Sequence, residues 1–246
     1  MRDTRILMGM PISVEILDMH SNLLFESVYD YFDAVDQRFS TYKAISEISA
    51  FNRGEILASD LSVEMQEVFA LAEKTRMESG GFFNMRNREG IVDPSGVVKG
   101  WAVRNAALLL QRAGIENFYV DAGGDIQAHG KNEDGENWRV GIRNPFDDQE
   151  VIKVLSLSGQ GIATSGSYVR GEHIYNPHQP AEKLTSIVSL SVIGPDVLEA
   201  DRFATAAFAM GEAGIFFIEN LVGFEGYAIN AQGIATMTTG FGAYVI

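Results

Sequence analysis

Apolar residues recur at intervals of three and four through Leu24, Val28, Tyr31, Phe32, Val35 and Phe39, and this spacing predicts an amphipathic helix opened by Ser21 or Asn22. Before it, Ile12 to Leu17 alternates apolar and polar positions like a strand, and Met1 to Met10 runs straight into that segment. A polar stretch from Ser40 to Ser62 reads as a loop carrying a turn at Asn52-Arg-Gly54. A second helix is predicted from Ser62 to Ser79, stopped by Gly80-Gly81. A third begins near Lys99, turns Ala102, Val103, Ala106, Leu109 and Leu110 inward, and closes at Ala113-Gly114.

Beyond Gly114 the pattern changes to short strands: Phe118–Val120, Trp138–Ile142, Val151–Leu157 and Ile187–Val192. A helix around Asp201 and a short one over Ile215–Leu221 follow, and strands at Tyr227–Asn230, Ile234–Thr239 and Phe241–Ile246 close the chain. Strands gathered after early helices, without regular alternation, predict an α+β fold. No Pro/Ser-rich linker, heptad or internal repeat divides the sequence, so residues 1–246 read as one domain.

One helix carries unexpected polarity. In Ala200-Asp-Arg-Phe-Ala-Thr-Ala-Ala-Phe-Ala-Met-Gly211, Asp201 and Thr205 lie four residues apart and share a face of an otherwise apolar segment. A buried carboxylate must be hydrogen-bonded, paired or bound to a cation, because burial otherwise costs several kcal/mol. The alternative is that Asp201 caps the helix N-terminus.

The 25 glycines gather at Asp93-Pro-Ser-Gly-Val-Val-Lys-Gly100, Asp121-Ala-Gly-Gly-Asp125, Ala163-Thr-Ser-Gly-Ser167 and Thr238-Thr-Gly-Phe-Gly242. Such clusters predict rigid loops at strand ends, whose backbone N–H groups can cradle an anion. Neither full phosphate-loop fingerprint is present. Lys99-Gly100 at a helix start is the nearest equivalent, with a solvated lysine in a tight turn as the alternative. His173 follows the third cluster closely enough to serve a ligand held there as a hydrogen-bond donor or general acid–base, or else is structural. His173 and His178, with no third ligand nearby, are a weak zinc signal. Tyr42, just past the first helix, is placed either to cover a planar ring or to pack in the core, and Trp101 and Trp138 read as core residues.

Composition narrows the partners. The chain is 46% hydrophobic, enough for a substantial core, and its 33 acidic against 19 basic residues give a net charge of -14. Nucleic acid and anionic membranes are poor partners for such a surface, whereas divalent cations are attracted. There is no cysteine, which excludes disulfides, thiolate metal sites and cysteine nucleophiles. With no apolar leader, lipid-attachment cysteine or 18-residue apolar run, the expected location is the cytoplasm.

Six collinear segments resemble the ApbE family of flavin transferases: Ser40-Thr-Tyr42 with Ser46–Asn52, Gly96-Val-Val-Lys-Gly-Trp-Ala-Val103, Asp121-Ala-Gly-Gly-Asp-Ile126, Gly161–Tyr168, His173-Ile-Tyr-Asn-Pro177 and Ala200–Ala206. The resemblance runs from Met8-Gly9 to the C-terminal strands. It implies an α+β fold with mixed, largely antiparallel sheets and flanking helices, forming two lobes around a FAD-binding cleft. It implies Asp201 and Thr205 as side-chain ligands of Mg2+, joined by a backbone carbonyl near Ala163. Lys99, the Asp121–Asp125 loop with Gly123 and Gly124, and Thr164, Ser165 and Gly166 would line the FAD site. Met8 and Tyr42 would lie near the flavin or adenine end, and His173 beside the reacting centre. Two stretches depart from the family pattern: Pro177-His-Gln-Pro-Ala181, where a Thr-Gly pair commonly follows, and Asp93-Pro-Ser ahead of the Gly-Val-Val-Lys segment.

The implied activity is transfer of FMN from FAD to a threonine or serine hydroxyl of a target flavoprotein, with AMP released. His173, Asp121 and Asp125 are the candidate proton acceptors. The same motifs also suit a pyrophosphatase splitting FAD to FMN and AMP, or a non-catalytic FAD-binding protein.

Overall fold

The computed structural model describes residues 1–18, 23–166 and 174–246. Strands β1 (Arg2–Leu7) and β2 (Met10–Ile16) form a hairpin whose two turn residues, Met8 at φ 52° and Gly9 at φ 74°, both take the left-handed conformation that tight hairpins require. Helix α1 (Leu23–Phe39) buries Phe25, Val28, Tyr29, Phe32, Val35 and Phe39, the stripe expected from the spacing. The predicted opener, Ser21 or Asn22, lies outside the described residues.

The segment expected to be a polar loop instead contains α2 (Glu47–Asn52) and a 3-10 turn at Ala58–Asp60. Ser46 caps α2 by accepting the amide of Ser49, and Ile48 is fully buried, so one side-chain cap and one apolar anchor fix a helix too short for periodicity to reveal. Helix α3 (Val63–Glu78) matches its expected span, with Ser62 capping it through the amide of Met65. Helix α4 (Ser95–Arg112) starts a turn earlier than expected, because Pro94 supplies its first acceptor and the Asp93 carboxylate takes the amide of Ser95. Lys99 therefore stands in the second turn rather than at the helix end.

Strands β3 (Phe118–Ala122), β4 (Asp125–His129), β7 (Gly161–Gly166), β8 (Ile187–Gly194), β9 (Glu225–Asn230) and β10 (Ala235–Met237) join the first hairpin in an eight-stranded sheet, ordered β1-β2-β3-β4-β7-β8-β9-β10. Strands β5 (Trp138–Asn144) and β6 (Asp147–Leu157) form a separate hairpin inserted between β4 and β7. Among the described residues every named strand pair is antiparallel, in keeping with the largely antiparallel sheets expected. The stretch expected as a glycine-rich loop at Ala163–Ser167 is, as far as Gly166, strand β7, because it pairs residue by residue with β8. The expected last strand, Phe241–Ile246, is a 3-10 turn over Phe241–Tyr244, followed by one bridge from Val245 to Leu155.

The two faces of the sheet carry different layers. Helices α1 and α4 cover β2 and β3 around Val14, Phe118 and Val120, while α5 (Val197–Ala209) and α6 (Gly214–Glu219) cover β7 and β8 around Ala163, Leu190 and Val192. The β5–β6 hairpin caps the other face, packing Val140, Ile142, Leu155 and Leu157 on Ile162, Ile193 and Tyr227. Alternation along β7 thus sends Ile162 to the hairpin and Ala163 to the helices. Trp101 and Trp138 are buried, as expected. Among the described residues no helix is long and apolar enough to cross a membrane.

Candidate functional site

The cap of α5 is Asp196, whose carboxylate accepts the amide of Glu199 at 2.9 Å. Asp201 is therefore free of capping duty and sits one turn further along, 3% exposed. It faces α4 where that helix lacks side chains: a Cβ on Gly100 would lie 2.6 Å from the Asp201 Cβ, and one on Gly96 would lie 3.0 Å from the Thr205 methyl. The two glycines, four apart on α4, thus match the two polar residues, four apart on α5. This close approach lets the Gly100 amide donate to Asp201 Oδ2 at 2.7 Å.

Asp125 opens β4 and points to the same helix-covered face, fully buried. Its Oδ1 accepts the amide of Thr164 at 3.1 Å, and its Oδ2 lies 2.7 Å from the Lys99 ammonium. The Asp125 carboxylate is close enough for its charge to act on the Asp201 carboxyl. Burial first, and then the charge of Asp125, push the Asp201 carboxyl up to about 8, although Lys99 and the Gly100 amide pull the other way. Two buried carboxylates thus share one ammonium, and the pair needs a proton or a further cation. Thr205 Oγ1 stands 3.5 Å from Ser165 Oγ, and Ala163 lies two residues earlier on the same face of β7. Oxygen donors of this kind suit Mg2+, which keeps several waters and binds through one or two carboxylates. Among the described residues no group of three or more His, Asp or Glu gathers into a denser metal cage.

The pleat separates two carboxylates adjacent in the sequence motif. Asp121 lies on β3 with its side chain on the opposite face from Val120 and Ala122, whereas Asp125 points toward the helices. Gly123 (φ 61°) and Gly124 (φ 100°) make the turn between them, and the Gly124 amide donates to Asp121 at 2.8 Å. Burial raises the Asp121 carboxyl above the usual range, the Gly124 hydrogen bond lowers it, the charge of Asp125 raises it, and Arg143 and Arg2 lower it.

A cavity of about 570 Å³, of the size that takes a small-molecule ligand, opens beside these groups; Asp125 and Ala163, both expected at the site, are buried and do not line it. Lys99, Asp121, Gly123, Gly124, Thr164, Ser165, Gly166, Asp201 and Thr205, all expected at the site, line it together. At the N-terminal hairpin the wall is Gly9 and Met10 rather than the expected Met8, which packs against the core at the turn. Tyr42 is 98% exposed and outside the cavity wall, so it is neither a core aromatic nor a wall of this cleft. His173 lies outside the described residues. His178 rests its ring edge-on against Phe82, at 4.6 Å between centroids, with Nε2 3.1 Å from the Gly80 carbonyl oxygen. The expectations missed Arg2, Arg86, Arg143 and Tyr175, which reach the cavity from four distant segments. Gly96 was legible, since its spacing to Gly100 repeats that of Asp201 to Thr205.

The ApbE family model matches residues 8–88 and 85–227. The FAD:protein FMN transferase of Escherichia coli K12 is 26% identical over 271 residues, covering 85% of this chain and 77% of that one. The FAD:protein FMN transferase of Vibrio cholerae O395 is 33% identical over 169 residues, covering 65% and 50%. The solved flavin transferase ApbE from Vibrio cholerae superposes with a TM-score of 0.86 at 24% identity, covering 99% of this chain and 98% of that one. The ApbE protein from Thermotoga maritima gives 0.85 at 18% identity, with 99% and 98% covered. Fold and cleft together define an α+β protein of flavin-transferase architecture. The chain belongs to the ApbE family.

Proposed function

We propose that this protein is a FAD:protein FMN transferase, moving FMN from FAD through a phosphoester bond onto a threonine or serine hydroxyl of a target flavoprotein. Residues 1–246 act in this reading as one catalytic domain. The observation that carries it is the buried Asp201 carboxylate in a cavity lined by Lys99 and glycine turns, with Asp125 paired to Lys99 outside the cavity wall.

The acceptor oxygen attacks the flavin-side phosphorus, the bond from that phosphorus to the bridging oxygen breaks, and AMP leaves with the electron pair. Asp201 and Thr205, with a backbone carbonyl near Ala163, would hold Mg2+. When bound, that ion supplies charge neutralisation for the diphosphate. Lys99 lines the cavity with its ammonium held 2.7 Å from Asp125 and would offer that charge to the diphosphate. The hydroxyl proton goes to His173 or to a carboxylate of the β3–β4 turn. Of the two carboxylates Asp121 is the freer, because both Asp125 oxygens are already engaged.

Incubation with FAD, Mg2+ and a threonine-containing target peptide, followed by intact mass measurement, tests the proposal. A covalent FMN adduct with AMP release supports it. Free FMN and AMP without adduct indicate a FAD pyrophosphatase, and FAD retained without AMP release indicates a binding protein.

A further inference from the structure

Two segments face each other across the mouth of the cleft. Phe82, Asn84 and Arg86 line it from the stretch after α3, and Ile174, Tyr175 and Pro177 line it from the stretch before β8. Among the described residues Arg88 reaches from the first stretch to the Tyr175 ring, 5.5 Å from its centroid, and to the Glu182 carbonyl at 3.3 Å, and two side chains of the second stretch reach back. The Tyr175 hydroxyl donates to the Arg86 carbonyl at 2.7 Å and accepts from Asn84 Nδ2 at 3.3 Å. Three residues on, His178 places Nε2 3.1 Å from the Gly80 carbonyl oxygen and lays its ring against Phe82.

Both anchors rest on firm ground. Asn176 Oδ1 accepts the His178 amide at 2.9 Å, an Asx turn that aims the imidazole. Gly81, at φ +87°, leaves room for it, since a Cβ there would stand 3.2 Å from His178 Cε1. The receiving turn is itself fixed, because the Phe83 amide donates to Ser79 Oγ at 3.0 Å. This is also where the chain departs from the family pattern, with Pro177-His-Gln-Pro in place of the common Thr-Gly pair.

We propose that Tyr175 and His178 are positioning residues: they pin the strap Ile174–His178 across the cleft to Gly80–Arg86, so that Tyr175 and Pro177 stand as a fixed wall against the bound dinucleotide. The inference deepens the transferase reading and rests on it for the identity of the ligand. The pinning itself is a property of the free protein. Without the pins the strap must be ordered at each binding event, which weakens FAD binding and leaves the chemistry at Asp201 unchanged.

The test compares wild type with Tyr175→Phe, His178→Ala, the double variant and His178→Gln, whose amide can still donate to Gly80. Hydrogen exchange of the ligand-free proteins is read at residues 80–86 and 174–182. FAD dissociation constants are read by flavin fluorescence with Mg2+ present, and KM is separated from kcat. The double variant is expected to exchange faster in both segments and to bind FAD about tenfold more weakly, with kcat within about twofold of wild type. His178→Gln is expected to recover most of the affinity lost in His178→Ala. Unchanged exchange in both segments overturns the pinning. Faster exchange with unaltered FAD affinity, or a loss confined to kcat, overturns the positioning role. If wild type itself binds no FAD, the transferase reading falls and the wall's assigned ligand falls with it, while the exchange data still decide whether the strap is pinned.

Discussion

The amide of Gly100 donates to Oδ2 of Asp201 at 2.7 Å, across a helix contact that would not admit even a methyl group. One glycine thereby sets both the separation of α4 and α5 and the orientation of the carboxylate proposed to hold the metal. Gly100→Ala gains helix propensity but drives its Cβ to 2.8 Å from the Val197 carbonyl oxygen, which cannot yield as a side-chain tip would. A net loss of about 1–2 kcal/mol in urea unfolding is expected, with a weaker response to Mg2+.

Replacing Asp201 separates metal binding from folding. Burial and Asp125 make the metal-free Asp201 carboxyl take up a proton on folding, whereas Asp201→Asn is neutral without one, so the metal-free variant is expected to melt higher than wild type at neutral pH. Mg2+ is expected to raise the Tm of wild type but not of the variant, and FMN transfer by the variant is expected to fall at least about a hundredfold. Asp201→Ala is expected to lose metal-dependent turnover in the same way with the fold intact. Thermal melts with and without Mg2+ check stability, and adduct formation checks chemistry.

Lys99→Met leaves Asp125 as a buried charge without its ammonium, which is expected to cost about 3–5 kcal/mol. Adding Asp125→Asn is expected to recover most of that loss. The double-mutant cycle, measured by denaturant unfolding, reads the coupling directly. Purely additive losses are the result that contradicts the pairing.

Arg202, 2% exposed, binds Glu78 of α3 and Glu199 of α5 and stacks its guanidinium 3.9 Å from the Phe203 ring centroid. Removing the cation by Arg202→Met leaves Glu78 and Glu199, both reached by solvent, without their shared partner. A destabilisation of about 1–2 kcal/mol in urea unfolding is expected, relieved in part by adding Glu78→Gln.

Asp18 gives the acid response a defined source. Burial tends to raise its carboxyl, but hydrogen bonds from the Asn117 side chain and from the amides of Asn117 and Glu116 outweigh it, and the net shift is below 3.8. A carboxylate whose folded value is depressed adds stability above its unfolded value and loses it as pH falls through the folded one. Wild type is therefore expected to exceed Asp18→Asn in stability at neutral pH, with the gap closing below about pH 4. A gap of constant size down to pH 2 would contradict the assignment.

Local pattern in the sequence determined where much of the chain turns its apolar surface. The three-and-four spacing of α1, the Ser62 and Gly80-Gly81 limits of α3, and the shared face of Asp201 and Thr205 all follow from helical geometry, which is settled within a few neighbouring residues. Short motifs shared with the family named nine residues that the tertiary structure lines up along one cavity.

Tertiary structure decided what depends on a partner far along the chain. Residues Gly161–Gly166 are a strand because β8 pairs with them, and Asp121 and Asp125 point to opposite faces because the pleat alternates through β3 and β4. Asp196, not Asp201, caps α5, a choice visible only once the helix start was set by burial of Val197 and Leu198. Gly100 meets Asp201 across 101 positions of sequence, and Tyr175 meets Arg86 across 89. Periodicity records which face of an element is buried; it carries no record of what that face is buried against, because close packing between distant segments is fixed only when the whole chain folds.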